Sequence, residues 1–117
     1  MIIYVYSKCS TCQKALRVLN EKKIQCTVKE IKIEPPSKIE LQTMLNYLKG
    51  DLKKLFNTSG DLYQEMHLSE KLKEMSLDES LELLTNHGML VKRPFLLSDD
   101  FGLTGFNETK WSEHLKF

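Results

Sequence analysis

The sequence predicts an α/β protein with a small mixed sheet, in which an early β-α-β unit is joined to a late β-β-α unit. Two observations carry this prediction: an apolar strand-like run followed at once by a helical pattern, and helix-start signals through the middle of the chain. At 117 residues the chain has the length of one domain. We therefore expect a single domain spanning residues 1–117, with a helical insertion at about 35–88.

The first unit is predicted from apolar spacing. Ile2–Tyr6 is apolar and β-branched, which is typical of a strand covered on both faces. Apolar residues then recur at helical spacing from about Ser10 to Lys22. Alternation returns in Gln25–Ile33, with one slip, and predicts a second strand in which Cys26 is a small core residue. A strand, a helix and a strand so close together form a βαβ unit, so the two strands are expected to be parallel.

The middle and end of the chain carry capping and turn signals. Capping boxes start at Ser37 and Ser76, Gly50 is expected to close a helix, and Asp51 to cap a further short one. Short helical pieces are expected at Tyr63–His67 and Ser69–Lys73. The segments "RPFLL" and "FGLTGF", separated by "SDD", predict a hairpin, and Asn107 is expected to cap a last helix.

Composition narrows the functional classes. The net charge is only +1, so bulk attraction to nucleic acid or to an anionic membrane is not expected. No apolar run approaches the roughly 20 residues of a membrane span, and the start "MIIYVYSKC" lacks the pattern of a signal peptide. Three cysteines are an odd number, which argues against a secreted disulfide framework. We expect a cytoplasmic monomer.

The motif "CSTC" stands where the first strand is predicted to meet the first helix. A cysteine attacks as its thiolate, and unpaired N–H groups at a helix start favour that charge on Cys9. Lys8 adds a nearby cation, and the N–H groups of Ser10 and Thr11 could cradle a thiolate or an oxyanion. Cys12 lies one turn further on and is expected to be better shielded. We predict that Cys9 is the nucleophile and Cys12 the resolving thiol.

Other interpretations of the cysteines stay open. A C-x-x-C motif can be half of a zinc site, but the remaining candidate ligands form no second pair, so no metal is expected. The remaining candidate zinc ligands are Cys26, His67, His87 and His114. Alternatively, the thiols of Cys9 and Cys12 could both be buried and inert.

A second signal is the motif "VKRPFLL". A proline cannot donate to a sheet ladder, so Pro94 marks a strand start or edge. It could also hold a cis bond that aims Lys92 or Arg93 at the cysteine loop. Arg93 would then stabilise the Cys9 thiolate or bind an anion.

The segments "YSKCSTCQKAL", "LFNTSGDLYQEM", "LLTNHGMLVKRPFLL" and "LTGFNETKW" together resemble the arsenate reductase-like ArsC/Spx family over nearly the whole chain. The resemblance implies a thioredoxin-like fold with a helical insertion, Cys9 as nucleophile, and Arg93 with cis Pro94 beside it. Glutaredoxin-coupled arsenate reductases hold the oxyanion with three arginines. Here only Arg93 is present, since the other positions fall near Asn57 and Thr104–Gly105. The sequence therefore argues against arsenate as substrate.

The resemblance also separates two functions. The segments "FNTSG…Y" and "GMLVKRP" resemble those of a reductase-like branch that carries C-x-T-C, which implies a thiol–disulfide oxidoreductase. Such an enzyme needs no cofactor, and glutathione, thioredoxin or a similar thiol or dithiol would be its reductant. The alternative is an Spx-like redox-switched regulator that binds RNA polymerase, with the basic run "KGDLKK" as its contact surface or simply as a solvated helix junction.

Overall fold

The computed structural model describes all residues, Met1–Phe117, and shows a four-stranded sheet with helices on both faces. The strands are β1 (Ile2–Val5), β2 (Thr27–Glu30), β3 (Phe95–Leu97) and β4 (Gly102–Thr104). The helices are α1 (Ser10–Glu21), α2 (Lys38–Tyr47), α3 (Asp61–Glu65), α4 (Leu68–Lys71), α5 (Leu77–Asn86) and α6 (Glu108–Leu115), with 3₁₀ turns at Leu52–Leu55 and Gly88–Leu90. None of these helices combines the length and apolarity that a membrane span requires.

The sheet has the order β2-β1-β3-β4. β1 pairs with β2 in parallel and with β3 in antiparallel fashion, and β3 and β4 form an antiparallel hairpin. The segment between β2 and β3 contains α2 to α5. This mixed sheet confirms the predicted fold class.

Two apolar cores form because β1 alternates its side chains between the two faces of the sheet. Tyr4 points into a core shared with the helical segment, where Leu41 and Leu84 are fully buried. Ile3 points the other way, into a core shared with α1 and α6 that includes Trp111. Burying each such side chain contributes roughly 1.5–3 kcal/mol, so both helical layers are held by the central strand.

The predicted helix starts are confirmed at three positions. Ser37 and Ser76 each form a capping box with the glutamate three residues later, and the side chain of Asn107 accepts the N–H of Lys110 at 3.0 Å. Gly50, at φ +80°, follows α2 as expected. Asp51 takes the N-cap position of a short 3₁₀ helix, as predicted, but its side chain makes no capping hydrogen bond.

The second strand is shorter than predicted. β2 pairs only along the four residues of β1, from Ile2 opposite Thr27 to Val5 opposite Glu30. Beyond Glu30 the chain turns away from the sheet, so Ile33 is exposed. Cys26 precedes the strand and is half-buried, and Val28 is 54% exposed because β2 is an edge strand. Cys26 was predicted as a small core residue, and it packs against the edge of the second core rather than inside it. The short helices α3 and α4 also begin slightly earlier than predicted.

Candidate active site

The sulfur of Cys9 caps the first helix. Cys9 is the N-cap residue of α1, with an extended backbone, and its Sγ accepts the backbone N–H of Cys12 at 3.4 Å. A sulfur thus takes the position that a serine or aspartate oxygen normally occupies, facing the unpaired N–H groups of the first turn. This arrangement favours negative charge on Cys9.

The loop before Cys9 is fixed from both sides. The N–H of Ser7 donates to both carboxylate oxygens of Glu30, at 3.1 and 3.2 Å, and its carbonyl accepts from the side chain of Gln13 at 3.0 Å. The N–H of Cys9 itself donates to the carbonyl of Tyr6 at 3.0 Å. The position of the sulfur is therefore set by β1, β2 and α1 together.

The two thiols have opposite electrostatic environments. Partial burial would raise the pKa of Cys9, but hydrogen bonds from the N–H and thiol of Cys12, the charge of Arg93 and the N–H of Thr11 lower it below its ordinary value. Cys12 is fully buried, and burial raises its pKa to about 12, helped by the hydrogen bond and negative charge of Cys9. Cys9 is thus the better nucleophile, and Cys12 holds its proton.

Arg93 lies beside this pair. Its Nη1 donates to the carbonyls of Met89 at 3.0 Å and Val91 at 3.5 Å, and its guanidinium stands 5.3 Å from the centre of the Tyr6 ring. Its Nε is buried without a hydrogen-bond partner. The Arg93–Pro94 bond is cis, as the sequence suggested. The positive charge of Arg93 lowers the pKa of both cysteines, so the structure brings it to the predicted place.

The other predicted site residues differ in their placement. Ser10 and Thr11 line a cavity of about 310 Å³ at the start of α1. Pro94 is buried, and its carbonyl accepts the N–H of Gly105 at 2.9 Å, which ties the hairpin to the site. Lys8 is exposed and is not among the groups that shift the pKa of Cys9, so its electrostatic role stays a prediction. The side chain points into water, which screens its charge.

Comparison with known proteins decides the family. The family model described as "ArsC family" matches residues 4–114. The chain belongs to the ArsC family. This confirms the resemblance seen in the sequence.

Three similar ArsC-like proteins show the range of the family. The uncharacterised protein YusI of Bacillus subtilis is 44% identical over 114 residues, 97% of each chain. A possible arsenate reductase from Streptococcus mutans UA159 is 37% identical, with a TM-score of 0.88 over 99% of this chain and 97% of that one. The global transcriptional regulator Spx 2 of Bacillus anthracis is 26% identical over 92% of this chain and 81% of its own length.

One residue of this ArsC-family site was not identified from the sequence. The ring of Tyr6 lies against the guanidinium of Arg93, and the backbone N–H of Tyr6 donates a hydrogen bond to the sulfur of Cys12. Its position three residues before Cys9 was a weak signal, because aromatic residues are common at the ends of strands.

All three cysteines are free thiols, and the third, Cys26, lies outside the site. Burial raises the pKa of Cys26, which makes it a weaker nucleophile than Cys9. No group of three or more His, Cys, Asp or Glu side chains is placed to hold a metal ion.

Proposed function

We propose that the protein is a thiol–disulfide oxidoreductase in which Cys9 attacks and Cys12 resolves. The observation that carries this proposal is the division between the two sulfurs, with one half-exposed at a helix start and of lowered pKa, and the other buried and of raised pKa. The relative described as a possible arsenate reductase supports a reductive role. The proposal includes a cytoplasmic monomer with no metal or organic cofactor.

The reaction proceeds through two exchanges. The Cys9 thiolate attacks one sulfur of a substrate disulfide, which breaks the S–S bond, forms a mixed disulfide on Cys9 and releases one thiolate. The Cys12 thiolate then attacks the Cys9 sulfur, releases the second substrate thiolate and leaves a Cys9–Cys12 disulfide. The released thiolates take up protons, one of them from Cys12. An external thiol or dithiol, such as glutathione or thioredoxin, returns two electrons to the cysteine pair.

The environment of Cys12 gives this reaction an order. Two of the influences that raise its pKa are the hydrogen bond and the negative charge of Cys9. Both disappear when Cys9 enters a mixed disulfide, whereas the N–H of Tyr6 and the charge of Arg93 still favour a Cys12 thiolate. Cys12 is therefore activated by the first step, and it stays protonated before substrate arrives.

Arsenate is disfavoured as the substrate. The cavity that contains Arg93, of about 550 Å³, is also lined by Asn57, Asp61 and Glu65. Two carboxylates line the same cavity as this single guanidinium and oppose the binding of an oxyanion there, and each missing charge-assisted contact costs about 1.5–3 kcal/mol. The proposed substrate is a disulfide, with Arg93 acting on the thiolate.

The test compares three proteins in a thiol-coupled assay. Wild type, Cys9→Ser and Cys12→Ser are supplied with hydroxyethyl disulfide and, separately, with arsenate, using dithiothreitol as reductant. We expect turnover of the disulfide by wild type and none by Cys9→Ser. In Cys12→Ser treated with the disulfide without reductant, we expect a trapped mixed disulfide on Cys9, detected by mass spectrometry. A wild type that turns over arsenate well and the disulfide not at all would contradict the assignment.

A second candidate function is a redox-switched regulator that binds RNA polymerase. The similarity to the global transcriptional regulator Spx 2 over most of both chains favours it, together with the C-x-x-C motif of this chain. In that case the disulfide changes a binding surface. The discriminating measurement is co-purification with RNA polymerase under reducing and oxidising conditions. A stable complex in a protein without disulfide turnover would replace the enzyme with the regulator.

A further inference from the structure

A groove beside the hairpin has walls with only positive formal charge. Two cavities of about 360 and 260 Å³ adjoin there and share Lys92, Leu103, Thr104 and Lys110. The larger one is also lined by two further lysines and a second threonine. We call this feature the lysine groove and define it by Lys53, Lys54, Lys92, Lys110, Thr58 and Thr104.

The fold gathers these residues from three separate segments. The N–H of Lys92 donates to the carbonyl of Leu55 at 2.8 Å, which brings Lys92 alongside the 3₁₀ turn that carries Lys53. The stem of Lys92 also runs close to Gly105, where a Cβ would lie 3.1 Å from Lys92 Cε. Lys110 enters from the first turn of α6, which is set by its cap.

The charge of the groove is not compensated by the protein. No acidic residue lines either cavity, although the whole chain carries a net charge of only +1. Among the four lysines only Lys54 has an ion-pair partner, Asp51, at 4.0 Å. Lys110 is the third residue of α6, where the helix dipole already favours negative charge. The positively charged lysine side chains that line the groove repel one another, and a bound anion relieves this repulsion.

The side chains favour phosphate over other anions. Lysine binds phosphate as a point charge, and the hydroxyls of Thr58 and Thr104 can donate to phosphate oxygens. No arginine lines the groove, so an anion bound there meets point charges and hydroxyl donors rather than a planar fork. The larger cavity has a volume of about 360 Å³ and is lined by four lysines, which suits a small molecule that carries several phosphate charges.

The groove adjoins the cavity at the start of α1. The smaller cavity shares Phe106 with the cavity at the start of α1, which is lined by Ser10, Thr11 and Lys14. We propose that the lysine groove binds the phosphate groups of a phosphorylated thiol, such as coenzyme A, whose disulfide end reaches Cys9. This rests on the proposed function for its chemistry, and the exchange steps, electrons and reductant are those given above.

Binding is tested apart from turnover. Adenosine 3′,5′-bisphosphate, which has the phosphates but no sulfur, is titrated into Cys9→Ser by calorimetry. We expect saturable binding that weakens with salt, and about a three- to tenfold loss of affinity in each of Lys53→Gln and Lys110→Gln. Lys73→Gln, an exposed lysine on another face, should bind as before. No binding, or equal binding in all lysine variants, would overturn the phosphate site.

Turnover then tests the substrate class. Wild type should show a higher kcat/KM for coenzyme A disulfide than for neutral hydroxyethyl disulfide or for oxidised glutathione, which carries carboxylates. That preference should fall in Lys53→Gln and Lys110→Gln and persist in Lys73→Gln. Equal kcat/KM for all three disulfides would overturn the inference and leave the reductase intact. Bisphosphate binding without turnover of any disulfide would instead overturn the reductase alone.

Discussion

Replacing Cys9 with serine should lower the pKa of Cys12. In the wild-type protein burial, with the hydrogen bond and charge of Cys9, raises the pKa of Cys12 from 9.0 to about 12. A rise of this size lowers the thiolate fraction at pH 7 about a thousandfold, since each pKa step is a factor of ten. Cys12 is therefore almost unreactive while Cys9 is free.

The serine variant removes only part of this effect. A serine hydroxyl stays neutral and can accept the N–H of Cys12, so the helix start keeps a cap. The negative charge of Cys9 is lost, and the pKa of Cys12 falls. The fall is only partial, because burial is the largest cause of the raised pKa and is unchanged.

The pKa is best measured residue by residue. The protein is labelled with ¹³C at the cysteine β-carbons, in a Cys26→Ser background so that only the site cysteines report, and the shifts are followed against pH. Alkylation with iodoacetamide at pH 7, followed by peptide fragmentation, should show Cys9 modified first in the wild type. The reasoning would be refuted if Cys12 had the same pKa in the wild type and in Cys9→Ser. It would also be refuted if Cys12 were alkylated before Cys9 in the wild type.

Three further variants test the site and the fold. Arg93→Met should raise the pKa of Cys9 and move its alkylation profile to higher pH, because a cation is lost, whereas Arg17→Met, the chain's other arginine, should leave the profile unchanged. Ser37→Ala should reduce the free energy of unfolding by about 1 kcal/mol through loss of the cap, measured as a lower urea midpoint with unchanged slope. Trp111→Ala should cost about 3–5 kcal/mol, because Trp111 is 1% exposed; a cost below about 1 kcal/mol would contradict its place in the core.

The predictions from sequence succeeded where the determining groups are neighbours in the chain. The capping boxes at Ser37 and Ser76 involve residues three apart, and they appear as predicted. Cys9 at a helix start, with Cys12 one turn later, follows from the same local logic. The length of β2 could not be predicted, since it depends on how many residues of β1 are available for pairing.

Residues distant in sequence required the folded chain. The motif around Pro94 suggested that Arg93 faces the cysteines, and the structure brings its charge there. Nothing local indicated that Tyr6 would lie against that guanidinium, or that Lys53 and Lys110 would meet across one groove.

The sequence by itself determined the elements, the helix starts and the chemical identity of the thiol pair, because these depend on spacing within one or two turns. Only the tertiary structure decided how completely Cys12 is buried, how far the pKa values of the two thiols separate, and where positive charge accumulates. Burial and long-range electrostatics depend on distances in space, and those distances exist only after the helical segment and the hairpin have packed on the sheet.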